Sequence, residues 1–321
     1  MANPVRILGV GHAAWDHQFS VETFPPKPTK TPAQAYLSGV GGMTANACVA
    51  AARLGARVRI ASPVGDDAAA PFFEAHFWRE GVDPGGLVRV PGAHSSVSAV
   101  IVDAQGERLI VNHRGDALGK APPFDVSQVD QAEVLMTDPR CPHWALAALE
   151  RARALGRTSI LDGDAAPQED LQRLVGLCTW AVFSRPGLAA FHPRTGLDDQ
   201  TAAREGLAAA LAAGAKVAVL TQDDQPLWWQ RRGGAPTQMP VFQVQPVVDT
   251  TAAGDTFHGA LAVALGEGRA DADALRFAAA AAALKCLKPG GVAGAPSRGE
   301  VEAFLASAPQ IHSTDPQDNS P

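Results

Sequence analysis

A turn of small residues followed by an acid is the part of this chain best suited to chemistry. Residues 249–260 read Asp-Thr-Thr-Ala-Ala-Gly-Asp-Thr-Phe-His-Gly-Ala, between a predicted strand at 241–248 and a predicted helix at 254–265. The first N–H groups of a helix lack intrahelical partners and carry the positive end of its dipole, so small side chains let an anion approach them. Asp255 would lie beside this anion hole and could take a proton from an attacking hydroxyl. The pattern predicts transfer of a phosphoryl group to an alcohol.

Two glycines and two polar residues near the N-terminus indicate a ligand rich in hydroxyl groups. Gly41 and Gly42 precede a predicted helix, and Asn46 follows within its first turn. Glycine lets a ligand lie against the backbone, and an amide side chain offers both a donor and an acceptor to a polyol. Asp16 follows the first predicted strand, where it could accept hydrogen bonds from hydroxyl groups. Alternatively, the glycines could simply form a tight turn, and the Asp16 side chain could simply cap a turn, without any ligand.

The composition sets limits on the class of protein. The chain has 321 residues, 46% hydrophobic and 19% charged, with a net charge of −6. This is ordinary for a soluble globular protein, and the acidic balance argues against nucleic-acid binding. No apolar run approaches the ~20 residues that span a bilayer. The cysteines lie far apart without a Cys-x-x-Cys pair, as expected of free thiols in a reducing cytoplasm. We therefore expect a cytoplasmic protein with neither a nucleic-acid nor a membrane partner.

Strand-like and helix-like segments alternate along most of the chain, which predicts a parallel sheet covered by helices on both faces. The other predicted strands are residues 5–10, 58–62, 134–137, 158–162, 180–184 and 216–221. The other predicted helices are residues 44–54, 68–80, 142–155, 168–177, 201–213 and 272–287. Two segments depart from the alternation: residues 18–39 are extended and rich in proline, and residues 95–113 alternate like an antiparallel hairpin. We expect these two to form a small exposed sheet.

Three segments, 41–55, 65–67 and 249–259, resemble in order and spacing the two signatures of the PfkB/ribokinase family of carbohydrate kinases. The resemblance extends over residues 5–305, and the second signature is highly specific. It implies a ribokinase-like α/β fold, a three-layer αβα Rossmann-like domain with a small β-sheet lid. It also implies an ATP-dependent carbohydrate kinase that uses ATP and Mg²⁺ and a sugar substrate.

The same resemblance implies the domain organisation. A kinase domain would occupy residues 1–308, with a lid from about 18–39 and 95–113. Residues 309–321 are polar and rich in Pro, Asp and Ser, which predicts a disordered tail. An exposed apolar lid sheet would favour a homodimer formed through an open strand edge.

The resemblance also implies roles for individual residues. Asp255 would be the general base, and the backbone of Ala252, Ala253 and Gly254 the anion hole for the transferring phosphoryl group. The sugar contacts would be Asp16, Gly41, Gly42 and Asn46. The nucleotide contacts would be Ser184, Thr221, Thr250, Gly254 and Gly291. A monovalent cation would lie near Asp249 and Thr251.

The chain departs from the family pattern at three places. Ala252 stands where the anion loop usually has glycine, and Thr221 begins a nucleotide segment that lacks its two glycines. The Asn-x-x-Glu motif is replaced by the residues that begin with Ser184, so the acid tied to Mg²⁺ positioning is missing. Asp162 and Asp164, at the end of a predicted strand, could supply that Mg²⁺ function, or they could only form a polar turn.

Several further segments resemble the sulfofructose kinase branch of the family, in which a Lys, an Asn and an Arg gather around the sulfonate of the sugar. Lys30, Asn112 and Arg140 stand at the matching places. The resemblance thus implies that the enzyme phosphorylates a primary hydroxyl of a ketose such as 6-deoxy-6-sulfofructose. The alternatives are a neutral sugar (fructose or ribose), a nucleoside, or a catalytically weak sugar-binding regulatory relative.

Overall fold

The computed structural model of the protein describes residues 3–25, 27–115, 117–196 and 198–307. The predicted domain end at 308 and the predicted tail at 309–321 lie outside these residues, and the domain boundaries stay a prediction. None of the helices in the described ranges combines the length and the apolar character needed to cross a lipid bilayer.

A nine-stranded sheet forms the middle of the molecule, and four further strands form a separate small sheet. The strands are β1 (Arg6–Val10), β2 (Ala14–Ser20), β3 (Ala35–Gly41), β4 (Arg57–Gly65), β5 (Val82–Val90), β6 (Ser96–Val102), β7 (Arg108–His113), β8 (Val134–Thr137), β9 (Thr158–Gly163), β10 (Trp180–Phe183), β11 (Val217–Gln222), β12 (Gln225–Arg231) and β13 (Thr237–Met239). The large sheet has the order β13-β12-β11-β10-β9-β8-β1-β4-β5. Its strands are parallel except where β12 pairs with β11 and β13. The carboxyl ends of its central strands therefore meet along one edge.

Helices cover both faces of the large sheet. They are α1 (Met43–Arg53), α2 (Ala70–Arg79), α3 (Pro142–Ala154), α4 (Gln168–Leu177), α5 (Arg185–Phe191), α6 (Asp199–Ala213), α7 (Ala253–Gly266), α8 (Asp271–Cys286) and α9 (Arg298–Ser307). One apolar core lies between the sheet and α1, α2, α7 and α8. A second core lies on the other face under α3, α4, α5 and α6. The predicted three-layer αβα arrangement is confirmed.

The segment 241–248, predicted as a strand, is not one. It connects β13 to α7 as an irregular, largely exposed stretch. Pro240 and Pro246 have no N–H to donate to a neighbouring strand, so the segment cannot continue the ladder that β13 begins. The alternation of the remaining predicted elements is found with small shifts at their ends, because their apolar faces are buried on the cores described above.

The two segments that departed from the alternation form the small sheet, in the order β3-β2-β6-β7. Its first strand begins earlier than the predicted segment at 18–39, because β2 follows β1 after only a short connection. One face of the small sheet turns toward the carboxyl edge of the large sheet, and the other faces outward. All six residues of the edge strand β7 are exposed.

Close packing of α1 against α7 positions the two motifs of the site. A side chain at Gly259, on α7, would clash with the carbonyl oxygen of Ala47 and with Ala50 on α1. Glycine at this position therefore lets the two helices approach closely. As a result the first turn of α1 lies against the first turn of α7.

Candidate active site

Asp255 lies in the first turn of α7 and contacts the N-terminal motif directly. The Asn46 amide Nδ2 donates a hydrogen bond of 2.7 Å to Asp255 Oδ2, across 209 residues of sequence. Burial and the nearby Asp162 carboxyl raise the pKa of Asp255 to about 7, although the hydrogen bond from Asn46 acts to lower it. A carboxylate with a pKa near neutrality is suited to accept a proton at physiological pH.

Asp162 and His258 lie beneath Asp255 and shape its electrostatics. His258 Nδ1 lies 2.7 Å from the carbonyl oxygen of Gly254 and 3.5 Å from Asp162 Oδ2. Burial lowers the pKa of His258, while burial and the neighbouring Asp164 raise the pKa of Asp162 well above its usual value. This cluster therefore holds little net charge, and Asp255 is its outermost member.

The turn before α7 has an open side above its first N–H groups. Ala252, where the family pattern has glycine, adopts a left-handed conformation with φ 63° and serves as the N-cap. The Ala253 N–H donates to the carbonyl of Thr250 at 3.2 Å, so this member of the predicted anion hole is used within the turn. In the described ranges the Gly254 N–H has no such partner. A side chain built at Gly254 would meet nothing within 4 Å. The position can therefore admit an anion.

The predicted sugar contacts line the cleft between the two sheets. Asp16 on β2 packs so closely on Gly41 that any side chain at that glycine would clash with its carboxylate. Burial raises the pKa of Asp16 to about 6, although a hydrogen bond with the Ser98 side chain acts to lower it. Asp16 Oδ1 is buried and accepts no hydrogen bond from the described residues. Gly42 is the N-cap of α1 at φ 101°. Because buried polar atoms are normally paired, the orphaned oxygen of Asp16 indicates a ligand hydroxyl.

A chain of hydrogen bonds connects Asn112 to the segment of Arg140, and Lys30 is not joined to it in the described part of the chain. Asn112 pairs with Ser98 across the small sheet, and its Nδ2 donates to Ser96 Oγ at 3.2 Å. Ser96 Oγ also lies 2.9 Å from His12 Nε2. Burial lowers the pKa of His12, Asp138 opposes that shift, and Arg140 and Arg114 add to it. The backbone N–H groups of His12 and Arg140 both donate to the Asp138 carboxylate.

Arg140 already forms an ion pair with Asp164. Its Nη2 donates to Asp164 Oδ2 at 2.7 Å, and its Nη1 donates to the carbonyl of Ala165. Lys30 is exposed, and no contact among the described residues connects it to Arg140 or Asn112.

The two aspartates predicted to hold Mg²⁺ already have partners within the protein. Asp164 Oδ2 is bound by Arg140, and its Oδ1 accepts a hydrogen bond of 2.9 Å from Ser184 Oγ. Asp162 Oδ2 lies 3.5 Å from His258 Nδ1, so this carboxylate also has a neighbour within the protein. The described residues contain no cluster of three His, Cys, Asp or Glu side chains that could hold a metal.

The residues predicted to contact the nucleotide follow the edge of the large sheet. Ser184 Oγ caps α5 by accepting from the Gly187 N–H, and Thr221 Oγ1 donates to the carbonyl of Phe183. The Gly291 N–H donates to Asp249 Oδ2. Thr250 Oγ1 accepts a hydrogen bond of 2.7 Å from Arg108 Nη1 on β7. Thr250, Gly254 and Gly291 thus lie close to the turn, whereas Ser184 and Thr221 lie farther along the edge.

The residues of the site that were not predicted from the sequence include Asp138, Arg108, Arg114 and His258. Asp138 directly follows β8, so the rule that selected Asp16 at a strand end could have found it. Arg108, on the small sheet, donates to Thr250 in the turn at 249–254 and lowers the pKa of Asp255. No local pattern separates this arginine from an ordinary surface residue.

Comparisons with known proteins agree with this geometry. The profile of the pfkB family carbohydrate kinases matches residues 6–298. The chain is 28% identical over 322 residues to the ribokinase of Haemophilus influenzae, an alignment that covers 96% of this chain and 100% of that protein.

Two solved structures match nearly the whole fold. A structure described as a candidate ribokinase from Agrobacterium tumefaciens superposes with a TM-score of 0.87 at 34% identity, covering 95% of this chain and 98% of that one. Arabidopsis thaliana ribokinase, solved with ribose and ATP, superposes with a TM-score of 0.82 at 24% identity, covering 96% and 100%. The fold is therefore ribokinase-like, and the chain belongs to the pfkB family of carbohydrate kinases.

Proposed function

We propose that this protein transfers the γ-phosphoryl group of ATP to a primary hydroxyl of a ketose, with Asp255 as the general base. The observation that carries the proposal is the position of Asp255. Its carboxylate has a pKa near neutrality, it is oriented by Asn46, and it lies beside the open Gly254 N–H. A base next to an anion hole is the arrangement that in-line phosphoryl transfer requires.

The sugar would be held in the cleft by the groups with free hydrogen-bonding capacity. Asp16 Oδ1 would accept a hydrogen bond from one hydroxyl. Gly41 and Gly42 would support this contact indirectly, because glycine at 41 lets the Asp16 carboxylate lie against the backbone. The reacting hydroxyl would lose its proton to Asp255 as its oxygen attacks phosphorus. Ordered neighbours such as Asn46 fix the carboxylate, so little reorganisation accompanies the transfer.

The charge on the transferring group would meet donors from α7 and from the small sheet. The Gly254 N–H faces it from the start of α7, and the dipole of that helix adds to the attraction. Arg108, held by Thr250 at 2.7 Å, would approach from the small sheet. Mg²⁺ would arrive with the phosphates of ATP, which commonly supply several of its ligands. Closure of the small sheet over the cleft would exclude water, which is the role implied by a lid.

We further propose that the sugar carries an anionic substituent, as 6-deoxy-6-sulfofructose does. Asn112 is connected by hydrogen bonds through Ser96 to His12, and Asp138 joins the backbone of His12 to that of Arg140. The Arg114 guanidinium also acts on the pKa of His12, although the sequence did not single it out. An anion placed here would share Arg140 with Asp164. Lys30 would join the pocket only if the small sheet moved toward it.

A substrate screen tests both proposals. Initial rates of ATP consumption with sulfofructose, fructose, ribose, fructose phosphates and a nucleoside should show the highest kcat/KM for sulfofructose. In Arg140→Ala, we expect kcat/KM for sulfofructose to fall about 10- to 100-fold, since a charge-assisted contact is lost. The value for fructose should change less than about threefold, because a neutral sugar makes no ion pair there.

The matched control for the screen is Arg151→Ala, which removes an arginine paired with Asp130 on the surface. It should leave both kcat/KM values unchanged. Equal losses on sulfofructose and fructose in Arg140→Ala would refute the anionic pocket and favour a neutral ketose. No turnover with any sugar would favour the sugar-binding regulatory alternative.

We also propose a homodimer formed through the outer face of the small sheet. Leu109 and Val111 on β7 are 51% and 64% exposed and, by register, share a face with Tyr36, which is 52% exposed. An apolar sheet face next to an open edge strand is a surface that commonly pairs with another chain.

Placing a charge on this face should separate the two copies. We expect Val111→Asp to shift the sedimentation coefficient from that of a dimer to that of a monomer, because burying an unpaired carboxylate is costly. Val126→Asp places the same charge on an exposed valine outside the small sheet and should sediment as the unaltered protein does. A dimer that survives Val111→Asp would contradict this interface.

A further inference from the structure

The resemblance implies a monovalent cation near Asp249 and Thr251, but the structure places a protein ammonium group there. Lys285, near the end of α8, is fully buried, with 0% of its side chain exposed. Its Nζ donates to the carbonyl oxygen of Asp249 at 2.6 Å and lies 3.4 Å from Asp249 Oδ2. It also lies 3.5 Å from the carbonyl oxygen of Lys288. Carbonyl and carboxylate oxygens are also the atoms that hard metal cations bind.

The charges beside Asp249 are already balanced. Burial alone would raise the pKa of Asp249, but Lys285 and the N–H groups of Gly291 and Thr251 hold it below its usual value. Burial lowers the pKa of Lys285, and the Asp249 carboxylate opposes that shift. One carboxylate thus faces one ammonium group within a few ångströms. A second cation in the same place would add a repulsion that no further carboxylate offsets. The residues therefore do not fit a monovalent metal ion.

Lys285 acts through Asp249, which is bonded both to the turn at 249–254, called the catalytic turn below, and to the loop at 288–291. Asp249 begins that turn, and its Oδ1 accepts the Thr251 N–H at 2.8 Å. Its Oδ2 accepts the N–H groups of Gly290 and Gly291 at 3.0 and 2.9 Å. Lys285 therefore ties the end of α8 and the 288–291 loop to the segment that leads to Gly254 and Asp255.

We propose that the Lys285 ammonium group is the built-in cation of the catalytic turn, so that this kinase needs no monovalent metal ion for activity or for the stability of that turn. This inference rests on the proposed kinase function only for its activity readout. Lys285 is a positioning residue: it touches neither sugar nor nucleotide, and it acts by holding the backbone of Asp249. A chain with its own cation would be expected to behave alike in potassium, sodium and bulky organic cations.

The first test uses the unaltered protein and needs no substrate. The thermal unfolding midpoint is measured in potassium, sodium, ammonium and tetramethylammonium chloride at equal ionic strength, and kcat is measured in the same four salts. We expect equal midpoints and kcat values that agree within about twofold, because cation size should not matter to a filled site. A potassium-specific rise in the midpoint, or a stimulation of kcat of about tenfold or more, would overturn the proposal.

The second test creates the empty site. Lys285→Ala should lower the unfolding midpoint, and potassium or ammonium, but not tetramethylammonium, should restore part of that loss. The kcat of the variant should fall at least about tenfold and recover with the same ions, which a merely structural cavity would not show. Lys216→Met removes an exposed lysine elsewhere and should respond to no cation. A stable Lys285→Ala protein with unchanged kcat and no cation response would refute the role of Lys285.

The readouts separate this proposal from the proposed function. If no sugar is phosphorylated, the midpoints still report whether potassium binds and whether Lys285→Ala gains that binding. If Lys285→Ala fails to fold, the cation independence of the unaltered protein still decides the question.

Discussion

Replacing Asp255 by asparagine is expected to lower kcat for sugar phosphorylation by about 10²- to 10⁴-fold, the usual contribution of a positioned general base. The amide keeps the size of the carboxylate and can still accept the hydrogen bond that Asn46 donates at 2.7 Å. It cannot take the proton of the attacking hydroxyl. The loss should therefore appear in kcat, measured by ATP consumption at saturating sugar, while KM for the sugar changes little.

Asp199→Asn is the matched control for the base. Asp199 also lies in the first turn of a helix, α6, but it is exposed and remote from the cleft. If Asp255 acted only by stabilising a helix dipole, both variants would show the same small change. Full activity in Asp255→Asn would sink the mechanism, and a comparable loss in Asp199→Asn would show that the effect is not chemical.

The pH dependence of the unaltered enzyme should report the same group. Burial and Asp162 raise the pKa of Asp255 to about 7, and the base works only when it is deprotonated. As pH falls below that value, kcat/KM should decrease about tenfold per pH unit, whereas above it the rate should level off. A profile that stays flat through the acidic side of neutrality would mean that a different group accepts the proton.

Local patterns singled out the turn at 249–255 and the segment at 41–46 as candidate site residues because each lies within a single short stretch of sequence. Small residues at 252–254 stand directly before the acid at 255, and the glycine pair at 41–42 stands directly before α1, where it packs on Asp16 and on the backbone at His12. The alternation of strands and helices then placed both at one edge of a parallel sheet. Their meeting, seen as the contact between Asn46 and Asp255, follows from that topology.

What sequence reasoning missed depended on properties that short segments do not reveal. Residues 241–248 have the apolar character of a strand, but Pro246 within the segment and Pro240 just before it remove donors that a ladder needs. The Mg²⁺ role of the acids at 162 and 164 stays a prediction, and the sequence did not indicate that Asp164 is bonded to Arg140 and Ser184. Pairing of this kind depends on side chains brought together from separate strands, and spacing in the sequence does not encode it.

Asp138 is another residue whose partners come from separate segments, which the sequence did not indicate. Its replacement is the second change for which we expect a large effect. Asp138 is fully buried at the end of β8. Its Oδ2 accepts hydrogen bonds from the His12 N–H at 2.7 Å and from the hydroxyl of Thr44, and its Oδ1 accepts from the Arg140 N–H at 2.8 Å. The partners lie on the segments after β1, at the start of α1 and before α3. One carboxylate thus joins three parts of the cleft wall.

Asp138→Ala should destabilise the fold by about 3–5 kcal/mol, because each buried donor left without an acceptor costs about 1–3 kcal/mol. Urea unfolding followed by tryptophan fluorescence measures this change as a lower midpoint. The same variant should raise KM for the sugar, since Thr44 and Arg140 lose the group that positions them.

Asp138→Asn distinguishes lost acceptors from a lost side chain. Its single carbonyl oxygen can face His12 and Thr44, but its NH₂ group then points at the Arg140 N–H, so two donors meet. We expect a loss of stability about half that of Asp138→Ala, and a larger effect on the segment around Arg140 than on α1. Asp130→Ala, which removes an exposed carboxylate paired with Arg151, should leave the urea midpoint nearly unchanged. Equal midpoints for Asp138→Ala and Asp130→Ala would mean that the buried carboxylate does not hold the cleft together.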